Sequence, residues 1–361
     1  MNKTLKYGIS AAVAAFVGLG ATAWAGDLTV VSWGGAYTKS QVKAYHEPFT
    51  AKTGIKINSE DYSGGLAEVK AQVESKNVKW DLVDVELSDA VRGCDEGILE
   101  TIDHSMLPAA PDGTPAAKDF IDGALGDCAV ANIVWSTIYA YDKTKLKNAP
   151  TSMADFFNPK DFPGKRGMRK GPKANLEFAL IADGVAPGDV YKALGTPEGV
   201  NRAFAKLDTI KDQVVWWEAG AQPPQLLADG EVVMTTAYNG RIFGAVASEN
   251  KPFVIVWDGQ ILDLDLWVIP KGAPNKADAM KFIAFSTDTQ RLADQAKYIS
   301  YGPARKSSGA LVGKYQDGKI DMAPHMPTAA ANMKTSLLND FAFWADHQDE
   351  LNERFTAWLA K

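Results

Sequence analysis

The chain has 361 residues, with 38 Lys and Arg against 44 Asp and Glu, and a formal net charge of −6. An acidic chain with no basic block excludes nucleic acid and anionic membrane surfaces as partners. The length allows two domains with a core each, and beyond the first residues no apolar run is long enough to span a bilayer.

Residues 1–25 read as a signal peptide rather than as fold. Lys3 and Lys6 form a basic region, Ile9–Ala21 an apolar one, and Ala23-Trp24-Ala25 an A-x-A cleavage site. The segment is too short and wrongly flanked for a membrane anchor. Its removal deletes two lysines and no acid, so the net charge moves from −6 to −8. Cys94 and Cys128 remain, and an oxidising compartment favours their pairing.

Leu28–Ser32 is a short buried strand, followed at once by Trp33-Gly34-Gly35-Ala36-Tyr37. Thr38–Thr53 reads as a helix with Val42, Tyr45 and Phe49 on one face. Trp33, Gly34 and Tyr37 thus stand at a strand's carboxyl end, where ligands bind in open α/β sheets. Glycines let a ligand approach backbone N–H groups and an aromatic offers a flat wall, although a plain turn with Trp33 in the core fits as well. The unit repeats: Ile55–Asp61 is a strand, Ser63-Gly64-Gly65 a turn and Leu66–Ser75 a helix. Ser63 reads as the N-cap of that helix, whose N-terminus also favours an anion. Trp80–Val85 is the third strand, and Asp84, Glu86 and Ser88 at its end read as helix-start or solvated positions before cleft-lining ones. This alternation argues a parallel sheet covered by helices.

Residues 103–127 read as surface loop, and Cys128–Asp142 as a long extended run, the first crossover to a second lobe. Pro150–Arg169 carries turn chemistry. Helices are expected over Asn175–Asp183 and Glu198–Asp208, a strand over Val214–Glu218, then a helix through Leu226 and Leu227. Strands follow at Val232–Thr236, Phe253–Trp257 and Ile261–Ile269, with a helix over Arg241–Glu249. Two charges here are hard to place. Arg241 follows Tyr238-Asn239-Gly240 after the first of these strands, and Asp265 interrupts the last between Leu264 and Leu266. A carboxylate in so apolar a run needs a positive or hydrogen-bonding partner, or faces a wet cleft. An aromatic, a glycine and an Arg suit capture of a small anion's carboxylate, with a structural ion pair as the bland alternative. Asp278–Ser286 and Thr289–Lys297 read as helices and Tyr298–Arg305 as an irregular aromatic loop. Ala331–Lys361 reads as helical, with Trp344, Leu351, Phe355 and Trp358 in one core-packing stripe.

The order of WGGAY, Lys165-Arg166-Gly167-Met168, GEVVMTTAYNGR and LDLDLWVIPKGAPN resembles the periplasmic solute-binding proteins of ABC importers, in the spermidine/putrescine-binding branch. The resemblance covers nearly all of the chain after residue 25. It implies a two-lobed α/β periplasmic binding protein fold of type II, each lobe a mixed sheet flanked by helices, closing on a ligand by hinge motion. Lobe 1 is expected from 26–137 and 264–326, and lobe 2 from 138–263 and 327–361, with C-terminal helices packed on lobe 2. A small-molecule ligand, a membrane permease as partner, a monomer without cofactor, metal or catalytic activity, and a periplasmic location are implied with it.

The family pattern is broken at the site. Polyamine binders place an aromatic and an Asp in the first loop; here Trp33 keeps the aromatic, and Gly34 and Gly35 stand where the Asp is expected. Tyr238 matches a second aromatic, but Arg241 occupies an acid's position. Asp265 corresponds to a retained amine-holding Asp, Glu177 to a further acid and Tyr301 to a late-loop aromatic. A diamine beside Arg241 meets like charge. An ω-amino acid such as 4-aminobutyrate satisfies both ends: ammonium at Asp265, carboxylate at Arg241, and Trp33, Tyr37 and Tyr238 around the methylenes. A polyamine ligand is the alternative, with a secreted hydrolase or a ferric-ion binder behind it. The hydrolase lacks a G-x-S-x-G elbow or H-E-x-x-H, and the ferric site lacks a tyrosine pair with a carboxylate–His set.

Overall fold

The computed structural model describes residues 27–361, so the expected signal peptide, 1–25, lies outside the described residues. Three strands open the chain: β1 (Leu28–Ser32), β2 (Ile57–Asp61) and β3 (Leu82–Glu86). β1 pairs parallel with both others, Val30 facing Ser59 on one side and Leu82 on the other. Parallel pairing needs crossover connections. Helical residues 35–53, with a π-turn at Val42–His46, and the helix Ala67–Glu74 supply them. All five residues of β3 are buried, as expected for a strand covered on both faces.

Five more strands complete the main sheet: β4 (Ala129–Asp142), β5 (Arg166–Arg169), β6 (Val214–Trp217), β7 (Met234–Tyr238) and β8 (Phe253–Val268). Their order is β2-β1-β3-β8-β4-β7-β5-β6. β4 and β8 are long antiparallel neighbours, paired from Ala129↔Val268 to Asp142↔Phe253 with register shifts at Ala131/Ile133 and Thr137/Tyr139. β3 joins only the last residues of β8, from Val83↔Val268 to Glu86↔Asp265. β7 joins only the far part of β4, from Thr137↔Tyr238 to Tyr141↔Met234. Each long strand therefore serves both halves of a two-lobed α/β fold, and the expected boundary residues 137 and 264 lie within them. One core gathers Val30, Leu82, Val85, Leu266, Trp267 and Phe282; the other gathers Tyr139, Phe156, Met168, Phe178, Phe204 and Trp344. All 14 residues of β4 are buried, which is why it reads as one apolar run.

Four local expectations are corrected. The strands expected at Phe253–Trp257 and Ile261–Ile269 are one strand, β8: Gly259 takes φ 69 without ending it, because β4 templates both sides. The strand expected over Val232–Thr236 runs over Met234–Tyr238, which places Tyr238 at its carboxyl end. The helical tail is confined to Phe341–Leu359, capped by Asp340 accepting from the Phe343 N–H at 3.0 Å. Ahead of it, Leu337–Leu338 adds instead a short parallel strand to Ile261–Leu262 of β8. Ser63 does not cap its helix, which starts at Ala67 after Leu66 with no side-chain cap.

Cys94, in the helix Leu87–Asp95, is bonded to Cys128 just before β4, with Cα atoms 5.7 Å apart. The bridge ties the end of that helix to the first long strand. Reduction, or Cys128→Ala, is expected to lower the unfolding free energy by about 3–4 kcal/mol through the loop released in the unfolded chain. Urea titration with and without reductant measures this. An unchanged midpoint, or two alkylatable thiols without reductant, would contradict it.

Candidate functional site

The carboxyl ends of β1, β3 and β7 converge on the middle of β4 and β8. There Trp33, Tyr37, Glu86, Trp135, Tyr238, Arg241, Asp265 and Tyr301 line one narrow cavity. All but the half-buried Trp33 are buried. Tyr37 stacks edge-on against Tyr301 and Trp135 against Tyr238, with ring centroids 5.3 and 4.9 Å apart. The walls are aromatic and the polar groups few, as in small-molecule sites generally.

Arg241 lies in the first turn of the helix Asn239–Glu249 and reaches the loop after β1. Its Nη1 donates to the Gly34 carbonyl and its Nη2 to the Trp33 carbonyl, both at 2.9 Å. Its Nε has no partner although it is buried. The guanidinium passes so close that a Cβ on Gly35 would lie 2.9 Å from Nη1, and Gly35 has φ +61. The glycine pair is thus required by backbone conformation and by the approach of Arg241.

Asp265, in β8, accepts one hydrogen bond, from Trp135 Nε1 at 2.7 Å. Burial, with Asp84, Glu86 and Asp263 nearby, pushes its pKa well above the carboxylate range. A cation bound beside it would relieve that cost. Its neighbours are each compensated. Asp84 accepts from Ser32 Oγ, Gln41 Nε2 and Asn132 Nδ2, although burial still lifts it to about 7. Asn132 in turn accepts from the Tyr37 hydroxyl at 3.1 Å, which fixes that wall. Glu86 faces Lys173 Nζ at 2.7 Å and Arg169 Nη1 at 3.3 Å. Burial works to raise Glu86, but those two cations outweigh it and hold the carboxyl low.

Of the expected site residues, Trp33, Gly34, Tyr37, Tyr238, Arg241, Asp265 and Tyr301 come together. Ser63 does not line this cavity: it is exposed, and its carbonyl accepts from Arg169 Nη2 at 3.4 Å. Glu177 is buried away from the cavity, accepting from Trp344 Nε1 at 2.8 Å and the Tyr191 hydroxyl at 3.0 Å. Among the described residues no group of three or more His, Cys, Asp or Glu is arranged to hold a metal ion. Sequence reasoning missed Trp135, Lys173, Arg169 and the cleft-facing role of Glu86. The pairs Asp84/Glu86 and Asp263/Asp265 each place two acids on one strand face, a signal that Glu86 is not simply solvated. Trp135 gives none, since an aromatic in a buried strand is ordinary.

The profile of the bacterial extracellular solute-binding protein family matches residues 44–328. Over 335 residues, 93% of this chain and 91% of the relative, the chain is 48% identical to the gamma-aminobutyric acid-binding protein of Pseudomonas aeruginosa. The PBP MotA from A. tumefaciens B6, solved in complex with glucopine, superposes with TM-score 0.84 at 32% identity, over 92% of this chain and 99% of that one. The structure of a GABA receptor superposes with TM-score 0.78 at 34% identity, over 93% of this chain and 98% of that one.

Asp84 has its folded pKa, about 7, above the value near 4 of an unfolded aspartate. Its contribution to stability is therefore complete below about pH 4 and is lost as pH rises through about 7. Relative to Asp84→Asn, the ligand-free wild type is expected to lose stability between about pH 4 and about pH 7. Urea midpoints of both proteins across that range test this. A pH-independent difference, or one of opposite slope, would contradict it.

Proposed function

The chain belongs to the bacterial extracellular solute-binding proteins, and on that premise we propose that it captures 4-aminobutyrate or a closely similar ω-amino acid as the periplasmic component of an ABC importer. The observation that carries this reading is one cavity holding a guanidinium with a spare buried N–H and a carboxylate that lacks a cation. The ligand's ammonium meets Asp265. Its carboxylate meets Arg241, and the aromatic walls enclose the methylenes. The relative named for gamma-aminobutyric acid supports the same end-groups. A diamine would set its second ammonium against Arg241.

Capture is closure without chemistry. Arg241 to the loop after β1, and Arg169 and Lys173 to Glu86, join groups carried by opposite halves. Bending within β4 and β8 would part them and open the cavity. The exported chain would act as a monomer with no anchor and deliver its ligand to a membrane permease. Among the described residues no helix is long and apolar enough to cross a membrane.

Removing one member of a buried pair leaves the other uncompensated, at about 3–5 kcal/mol. Arg241→Ala is therefore expected to weaken 4-aminobutyrate by about two to three orders of magnitude, at 1.4 kcal/mol per decade. Asp265→Asn should cost a similar amount for 4-aminobutyrate yet leave butyrate little changed. Calorimetric titrations decide. If wild type binds putrescine well and Arg241→Ala leaves that affinity unchanged, Arg241 is outside the site and the reading is wrong.

A further inference from the structure

Beside the ligand cavity, and sharing Glu86, Trp135 and Tyr238 with it, lies a second, tightly filled pocket. Lys173 reaches into it from the segment between β5 and the helix Asn175–Ala182. Its Nζ donates to Glu86 Oε2 at 2.7 Å and to Ser88 Oγ at 3.1 Å, and stands 3.0 Å from Asp263 Oδ2. An ammonium has three donors, and these three partners use them all. Burial works against a charge here, but Asp263 and Glu86 outweigh it and hold Lys173 well above the ordinary lysine value.

The lysine is held from behind as well. Ala174 has φ 68, a conformation that non-glycine residues rarely adopt and that persists only where the surroundings enforce it. Asn175 Nδ2 pins the same segment, donating to the Arg169 carbonyl at 2.6 Å and the Gly171 carbonyl at 2.7 Å. The side-chain ammonium is thus placed as a bound ligand would be.

Its position relative to Asp265 gives it a consequence for specificity. Asp263 and Asp265 are two residues apart in β8, hence on one face and about 6.6 Å apart at 3.3 Å per residue. The four methylenes of putrescine span a similar distance. One carboxylate of that pair is left open to a ligand; the other is already taken. We propose that Lys173 is a built-in occupant of a second ammonium site, and that by filling it the protein admits ligands with one ammonium and rejects short diamines. The inference rests on the ω-amino-acid reading only for the first ammonium, at Asp265.

Lys173→Ala empties the site, leaving Glu86 with Arg169 alone and Asp263 with the Asn339 and Leu264 N–H donors but no cation. The variant is expected to melt below wild type and to recover with ethylammonium chloride but not with equal sodium chloride. It should also bind putrescine more tightly than wild type by about tenfold or more, one decade per 1.4 kcal/mol. Lys173→Met, which fills the space without charge, should show neither the ethylammonium recovery nor the tighter putrescine binding. If Lys173→Ala does not fold, the double variant Lys173→Ala/Asp263→Asn strands one carboxylate fewer and should still be stabilised by ethylammonium through Glu86. Ethylammonium recovery supports the second site whether or not wild type binds 4-aminobutyrate. Ethylammonium acting no better than sodium, or putrescine affinity unchanged in Lys173→Ala, overturns it even where 4-aminobutyrate binds.

Discussion

A carboxylate buried with a single indole donor is the constraint around which the site is built. Asp265 is 5% exposed and sits among Asp84, Glu86 and Asp263. An isolated charge cannot be left in such a place, so each of these acids must be neutralised or partnered. Asp84 takes three hydrogen bonds, and Glu86 and Asp263 share Lys173. Asp265 alone receives only the Trp135 N–H, and the charge it lacks defines the ligand's cationic end.

The fold makes that arrangement possible. β4 and β8 run through both halves, so Trp135 and Asp265 sit where the halves meet. Everything else at the site comes from strand ends or helix starts on one side or the other: Trp33 and Glu86 from one half, Tyr238, Arg241 and Lys173 from the other. The contacts that bridge the halves differ in weight. Arg92–Asp349 joins them at the surface, with the Asp349 side chain 84% exposed, and such pairs contribute little. The buried pairs around Glu86 and the Arg241 contacts lie beside the cavity itself, so the preference for the closed arrangement is concentrated where the ligand binds.

Much of this is legible in the residues, and the failures have physical causes. The strand–glycine–helix junction at Trp33–Tyr37 was readable because glycines at φ 71 and 61 serve both turn and site. Arg241 and Asp265 stood out because charge at a strand end or inside an apolar run requires a partner. The disulfide followed from export and an even cysteine count. Gly259 misled because a turn signal is local, whereas continuity of β8 is imposed by its pairing with β4. Glu86 reads as a helix-start position, which it also is, because the cations that pair with it, Arg169 and Lys173, lie more than 80 residues away in the chain. Ser63 failed for the opposite reason: a plausible cap residue sat three positions too early for the helix that forms.

Burial raises the Asp265 pKa and an ammonium bound beside it would lower it, so binding has a direct thermodynamic signature. Near neutral pH 4-aminobutyrate keeps its own protons, so any proton exchanged on binding belongs to the protein. Calorimetric titration in two buffers of different ionisation enthalpy counts it. Net proton release by wild type, absent in Asp265→Asn, is the expected result. Binding of 4-aminobutyrate with no proton released by wild type would contradict the central claim.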